Sequence, residues 1–250
     1  MARLTILGSA AAVPDMDHEN AYMVLEGEKS ALLIDCAGSP LARLQAAGVD
    51  LDKLGSLIVT HHHPDHIYGV PSLLLGLRMH GRRAPFDIFG TRESLAVIWG
   101  TMDLLGWQKW PGPFPVRRNE VEMTEEALVI DSDEFEVRAI PTEHSLPSIG
   151  LRIVSKATGG TVAYSSDTEP CDAFVRLAQG ADILIHESTG DYEGHSTGAQ
   201  AGDVAGRCGA RKLVLIHYPI DADMKALVWE AEKEFGGPVE LAEDFAVYLF

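Results

Sequence analysis

The chain has 250 residues, three cysteines and a formal net charge of −17. This length supports a sizeable core without disulfides, and an odd number of cysteines at no metal-like spacing indicates free thiols in a reducing compartment. The negative charge disfavours a long polyanion as the main partner, because the protein would repel it. No segment approaches the roughly 18 apolar residues of a membrane span, so we expect a cytoplasmic protein with no membrane partner.

The first part of the chain shows apolar runs, turn signals and helical spacing in alternation. These patterns predict strands at residues 4–7, 21–26, 30–35, 57–60 and 86–89, and helices at residues 39–48, 67–77 and 93–105. Residues 106–115 are too broken by Gly and Pro for regular structure. The tryptophans in that segment are equally compatible with a buried anchor, a lid or a subunit contact.

The second part of the chain begins with strands and then alternates helices with strands. We predict strands at residues 127–130, 134–140, 150–154, 161–165, 183–186, 213–217 and 246–250, and helices at residues 171–179, 197–208 and 222–235. Both halves share the order strands then helices. We therefore expect one domain over residues 1–250 with an α/β (α+β) fold, a four-layer αββα sandwich of two mixed β-sheets with helices on the outer faces.

The densest chemical signal is the histidine loop, residues 60–66, directly after an apolar strand. A strand places His61 and His63 on one side and His62 on the other, and the turn that follows brings Asp65 and His66 to a second position. Imidazole and carboxylate are ligands for divalent metal ions. A fortuitous polyhistidine turn or a tag is disfavoured by the flanking strand and apolar helix. One short loop thus supplies ligands for two ions.

The missing ligands are expected just past apolar strands, at the rim where such scaffolds place their sites. His144, Asp167 and His217 each follow a predicted strand. Alone, each would read as an ordinary hydrogen-bonded polar residue or a cap, but together with the histidine loop they complete a dinuclear centre. The predicted metal ligands are His61, His63, Asp65, His66, His144, Asp167 and His217.

The motif His61-x-His63-x-Asp65-His66 resembles the signature His-x-His-x-Asp-His of the metallo-β-lactamase superfamily, and the other ligands follow in the family's order. Asp35 resembles the family's buried aspartate that supports the histidine loop. The resemblance implies two divalent ions, with zinc as the default and manganese or iron as alternatives.

Within the superfamily, the chain looks most like the tRNase Z-like branch. Residues 7–14 resemble its glycine loop, residues 144–152 its third motif, and residues 186–189 and 195–197 its paired late loops. This implies that Glu187 and His195 form a proton relay; a strand-end cap and a loop hydrogen bond are the alternatives. Ser145 and Ser148 either bind a phosphoryl oxygen or simply form the turn.

True tRNase Z enzymes insert a long arm that grips tRNA between the ligands corresponding to His144 and Asp167. Here residues 145–166 are filled by a predicted hairpin. We therefore expect an armless phosphodiesterase-like metallohydrolase that acts on a small phosphodiester, with nucleic acid disfavoured. A homodimer is an expectation from the family.

In this interpretation two ions activate a water for attack on phosphorus, Asp65 orients it, and His195, held by Glu187, protonates the leaving oxygen. A tRNA 3′-processing endoribonuclease remains open, as does a lactone, thioester or β-lactam hydrolase, or a non-catalytic, metal-stabilised interaction protein. A flavodiiron oxidoreductase is disfavoured, because that branch expects an acid where His63 stands. We expect substrate specificity to be set by the loops at residues 8–20, 78–84 and 106–115. The arginines of residues 78–84 either bind phosphate or lie at a solvent-exposed helix end.

Overall fold

The structure is a computed structural model that describes all residues from 1 to 250. The strands are β1 (Arg3–Gly8), β2 (Tyr22–Glu26), β3 (Ala31–Ile34), β4 (Leu54–Val59), β5 (Phe86–Gly90), β6 (Val116–Glu120), β7 (Ala127–Asp131), β8 (Phe135–Thr142), β9 (Ser148–Ser155), β10 (Thr161–Tyr164), β11 (Ile183–Glu187), β12 (Leu213–Ile216), β13 (Val239–Leu241) and β14 (Val247–Leu249). The helices are α1 (Pro40–Ala46), α2 (Pro64–Ile67), α3 (Val70–Met79), α4 (Arg92–Leu104), α5 (Asp172–Leu177), α6 (Gly198–Cys208) and α7 (Met224–Phe235).

The strands form two sheets of seven. The first has the order β14-β1-β2-β3-β4-β5-β6 and the second the order β13-β12-β11-β10-β9-β8-β7. Both sheets are mixed: β3 to β6 run parallel to one another, as do β10 to β13, while the hairpins β2–β3 and β9–β10 are antiparallel. The parallel strands of each sheet therefore end at a common edge, where the loops that follow them can converge.

Three buried apolar clusters define the layers. One lies between the sheets and joins side chains from both, such as Ile6 and Ile58 of the first sheet with Leu151 and Val214 of the second. A second cluster packs α1, α3 and α4 on the outer face of the first sheet. A third packs α5, α6 and α7 on the second sheet. The predicted αββα sandwich is confirmed.

Several local predictions needed correction. The edge strands β6 and β13 were not predicted: β6 carries charged residues that do not alternate with apolar ones, and β13 is only three residues long. Such short or charged strands are common at sheet edges, where they discourage pairing with other chains. The helix α2 was also missed, and residues 106–115, predicted to lack regular structure, contain one 3₁₀ turn at Trp107–Lys109. None of the helices combines the length and apolarity needed to cross a bilayer.

Candidate metal centre and cleft

The ligand-type side chains gather where strands of both sheets end. The histidine loop follows β4, His144 follows β8, Asp167 follows β10 and His217 follows β12. His217 adopts a left-handed backbone conformation with φ of 53°, as does Ser166 next to Asp167 with φ of 54°. This conformation costs a non-glycine residue on the order of 1–3 kcal/mol and persists only where surrounding contacts enforce it. The fold thus holds these strand ends in place against strain.

One group consists of His61, His63, His144 and Asp167, whose ligand atoms all lie within 4.8 Å of one another. Nε2 of His61 and Nε2 of His144 each lie 3.1 Å from Nδ1 of His63. Oδ2 of Asp167 lies 3.7 Å from Nε2 of His61. Two nitrogens bound tetrahedrally to one zinc ion at about 2.0–2.1 Å are separated by about 3.3 Å. These spacings therefore fit a single divalent ion.

A second group consists of Asp65, His66 and His217. Oδ2 of Asp65 lies 3.3 Å from Nε2 of His217 and 3.7 Å from Nε2 of His66. Asp167 reaches this group too, with Oδ2 3.6 Å from Nε2 of His217 and Oδ1 3.5 Å from Nε2 of His66. The carboxylate of Asp167 therefore lies close to histidines of both groups.

Two atoms of the centre are buried without any hydrogen-bond partner: Nε2 of His66 and Oδ1 of Asp167. A buried polar atom without a partner costs about 1–3 kcal/mol. A cation between these two atoms would remove that cost for both, because each presents a lone pair when the imidazole is neutral. The donor set and its unpartnered atoms fit divalent metal.

Hydrogen bonds behind two of the candidate ligands, His66 and His144, orient their rings. Nδ1 of His66 donates to Oδ2 of the fully buried Asp35 at 2.9 Å, and Asp35 also accepts from the Thr60 backbone N–H at 2.8 Å. Nδ1 of His144 donates to the Gly194 carbonyl at 2.7 Å. Such contacts fix the tautomer, so Nε2 of His66 and of His144 faces the centre. Asp35 stands beneath the histidine loop, as expected.

The charges within the centre shift its pKa values in opposite directions. Burial opposes ionisation of Asp167, but His217 and His66 outweigh burial and hold its pKa well below the ordinary value. Burial and the neighbouring His66 keep the pKa of His61 well below its usual range. The anionic form of Asp167 and the neutral form of His61 are those that bind metal. Burial disfavours protonated His66 and His217, but the charge of Asp167 outweighs burial and raises the pKa of both, so a metal ion at the second group would displace their protons.

Glu187 and His195 form a hydrogen-bonded pair beside the centre. Nδ1 of His195 lies 2.9 Å from Oε1 of the fully buried Glu187. The same carboxylate accepts from the backbone N–H groups of Thr168 at 3.0 Å and Thr189 at 2.9 Å, which fixes its orientation. Burial disfavours protonated His195, but the hydrogen bond and charge of Glu187 outweigh it and raise the pKa of His195.

The centre opens into a cleft of about 620 Å³, a size typical of small organic ligand sites. The cleft is lined by Ala11, Ala12, Val13, His63, Pro64, Asp65, Asp167, Thr189, His195, His217, Pro219, Ile220 and Asp221. Asp65 and His195 thus both line the cleft. The residues at 219–221 were not anticipated from the sequence, and their only signal was that they directly follow the predicted ligand His217.

The predicted phosphate contacts of the two serines gain no support from their positions, since neither lines the cleft. Ser148 is fully buried, and its hydroxyl lies 3.3 Å from Oγ of Ser166 and 3.4 Å from the Asp167 carbonyl. This places Ser148 beneath the Asp167 loop, out of reach of a ligand. Ser145 is exposed. His62, left out of the ligand set, lies 3.4 Å from Oγ of Ser94, away from the cleft.

Of the three loops expected to set specificity, only residues 8–20 contribute to the cleft. The arginines of the second loop bind the protein itself. Arg78 is buried and donates to the carbonyls of Trp107 at 3.0 Å and Trp110 at 2.9 Å, and Arg82 donates to the Leu54 carbonyl at 2.7 Å. The tryptophan segment packs against the outer cluster of the first sheet, which favours the buried-anchor interpretation.

A family model described as a beta-lactamase superfamily domain matches residues 31–218. The chain is 29% identical to a ribonuclease Z of Mycobacterium bovis, over 98% of this chain and 96% of that one. It is 26% identical to a ribonuclease Z of Methanothermobacter thermautotrophicus, over 98% of this chain and 95% of that one. These relatives align along nearly their whole length.

Among solved structures, the short form of human tRNase Z superposes with a TM-score of 0.80 at 27% identity, covering 99% of this chain and 98% of that one. A diphosphatase of the PhnP family superposes with a TM-score of 0.76 at 18% identity, over 100% of this chain and 98% of that one. At that identity the second likeness concerns the fold alone.

Proposed function

This chain belongs to the beta-lactamase superfamily, with the metallo-β-lactamase fold and tRNase Z-like relatives, and we propose that it is a metal-dependent hydrolase of phosphodiester bonds. The observation that carries the proposal is the position of Asp167 between two groups of ligand-type side chains, beside a histidine that faces the cleft. The proposed ligands of one ion are His61, His63, His144 and Asp167; those of the other are Asp65, His66, His217 and the shared Asp167.

We expect zinc, because zinc ions in proteins are commonly bound by a set of histidine and carboxylate ligands of this size. Manganese or iron also accepts such ligands. When bound, a pair of divalent ions lowers the pKa of a water molecule and neutralises charge on phosphoryl oxygens.

The chain's own residues supply orientation and proton transfer. Asp65 lines the cleft and orients the attacking water by accepting a hydrogen bond from it. As the oxygen–phosphorus bond forms, the bond to the leaving oxygen breaks. His195 holds its Nδ1 proton toward Glu187 and donates its Nε2 proton to the leaving oxygen, which departs as an alcohol. The products are a phosphomonoester and this alcohol, and the proton lost by the attacking water balances the one that His195 gives up.

Two classes of phosphodiester remain as substrates. The names of the relatives favour the 3′ end of a precursor RNA, and they give no support to the expectation that nucleic acid is disfavoured. Two features of this chain favour a small diester instead. Residues 145–166 form only the hairpin β9–β10, with no arm to grip tRNA, and the net charge of −17 opposes a polyanion.

The experiment is a substrate panel with the purified protein and added zinc or manganese. It contains bis-p-nitrophenyl phosphate, a precursor tRNA with a 3′ trailer, and lactone, thioester and β-lactam substrates. We expect turnover of the diester that is lost in His66→Ala. Hydrolysis of an acyl substrate with no diester activity would replace the proposal, whereas cleavage of the precursor would assign the RNA class.

A further inference from the structure

The part of the cleft lining that lies outside the ligand groups is largely apolar. It is formed by two segments, residues 11–13 (Ala-Ala-Val) and residues 219–220 (Pro-Ile). We call these five residues the apolar wall. Metal ligands and the proton relay do not require an apolar surface, so the wall is available for a part of the substrate that does not react.

Backbone hydrogen bonds fix the wall to the metal centre. The N–H of Ala11 donates to the Tyr218 carbonyl at 3.0 Å, and the N–H of His217 donates to the Ser9 carbonyl at 2.8 Å. The buried side chain of Asn20 donates to the Ala11 carbonyl at 2.6 Å. The two segments therefore form one surface whose position is set by the strand end that carries His217. A substrate group that packs on this surface would therefore lie at a fixed distance from the phosphorus that reacts at the metal centre.

The charged residues of the cleft are as informative as its apolar ones. No lysine or arginine lines it. The only carboxylate in the lining that is not among the proposed ligands is Asp221, which is exposed and directly follows the wall. Sites that bind additional phosphates supply arginine, lysine or backbone N–H groups for them. The charged side chain next to the wall is the carboxylate of Asp221, which repels a second phosphate there.

We infer that the cleft selects a diester with a single phosphate, one of whose two substituents is an uncharged apolar or aromatic group that packs on the apolar wall, and that Asp221 excludes substrates with a further phosphate on that substituent. The inference rests on the proposed phosphodiesterase function and chooses between its two substrate classes. A precursor RNA carries a phosphate at each neighbouring nucleotide, whereas a small aryl or nucleoside diester need not.

The first test compares phenyl p-nitrophenyl phosphate with methyl p-nitrophenyl phosphate, which share a leaving group and differ in the group offered to the wall. The native protein should favour the phenyl diester in kcat/KM, and the double variant Val13→Ser, Ile220→Ser should lower the phenyl-to-methyl ratio, mainly through KM for the phenyl diester. An unchanged ratio would overturn the role of the wall.

The second test addresses Asp221 with the p-nitrophenyl ester of thymidine 5′-phosphate, with and without a 3′-phosphate. In Asp221→Lys, the relative kcat/KM for the doubly phosphorylated ester should rise by roughly fivefold or more, as expected for reversing an exposed charge a few ångströms away. The effect should shrink at high salt. Glu230→Lys makes the same charge change at an exposed position on α7 outside the cleft and should leave the ratio unaltered.

The outcomes are distinguishable. Absence of turnover with every diester would overturn the proposed function and this inference together. The inference would be overturned, with the phosphodiesterase function left in place, by either of two results. One is an equal kcat/KM for the esters with and without the second phosphate; the other is a ratio that changes as much in Glu230→Lys as in Asp221→Lys.

Discussion

The imidazole of His195 and the carboxylate of Glu187 meet at 2.9 Å, with the carboxylate fully buried and the imidazole at the cleft. The two backbone N–H groups that bind Glu187 prevent it from turning away. His195 therefore keeps Nδ1 as a donor to Glu187 and presents its other nitrogen to the cleft. In the proposed mechanism this pairing makes His195 a positioned acid, whose protonation depends on the charge of Glu187.

In Glu187→Gln, the loss of activity at high pH should begin at a lower pH than in the native protein. The charge of Glu187 contributes to the raised pKa of His195, so its loss lowers that pKa. Because the proposed acid acts when protonated, the alkaline limb of the kcat profile should move toward lower pH. The measurement is the pH dependence of kcat for a diester with an alkoxide leaving group.

The decrease in kcat when the proposed acid is removed should depend on the leaving group. His195→Ala should reduce kcat by about 100- to 10,000-fold for an alkoxide leaving group, the range expected for general acid catalysis. The loss should be much smaller for p-nitrophenolate, which departs without a proton. Equal losses on both substrates would argue against proton donation by His195.

His63→Ala should release metal and reduce kcat/KM by at least roughly 100-fold, because removing a ligand costs no less than disturbing the hydrogen bonds behind one. His62→Ala is the matched control, since His62 is the adjacent residue in the same loop and lies against Ser94. Metal analysis of both purified variants checks this prediction. Less than one ion per chain in the native protein would favour a different role for the centre.

Gly194→Ala should disturb His144. A Cβ at Gly194 would lie 2.8 Å from Nδ1 of His144, and the φ of +82° adds strain for any residue with a side chain. Because the Gly194 carbonyl also accepts the proton of His144, we expect a loss of roughly 10- to 100-fold in metal affinity or activity. Gly180→Ala carries comparable strain, with φ of +64° and open space around the Cβ, and should retain activity.

Arg78→Met should weaken the fold without affecting catalysis. The guanidinium of Arg78 is buried and donates hydrogen bonds to the carbonyls of Trp107 and Trp110. Its loss leaves both carbonyls without this donor. We expect a decrease of about 3 kcal/mol in the free energy of unfolding, measured by urea denaturation with tryptophan fluorescence. The diester kcat/KM should stay constant, because the tryptophan segment does not line the cleft. Arg83→Met, at an exposed position, should change neither quantity.

Much of the candidate centre was readable from the sequence because its geometry is local. Alternation along an extended segment places His61 and His63 together, and the turn at Pro64 gives Asp65 and His66 their own direction. The distant candidates could also be found, because His144, Asp167 and His217 each follow an apolar strand. The layered fold followed from the order of strands and helices, while the edge strands β6 and β13 lacked the apolar pattern by which strands are recognised.

Only the tertiary structure decided which other residues line the cleft. The segments around Ala11 and Ile220 lie far apart in the chain, and the backbone bonds that join them are long-range contacts that leave no periodic trace in the sequence. The absence of Ser148 from the cleft also depends on tertiary contacts, because the packing of β9 turns its hydroxyl inward toward Ser166. The sequence by itself determined the chemistry of the centre, because ligand type and spacing are properties of short segments. The shape and charge of the surface beside it arise from chain segments that meet only in the folded protein.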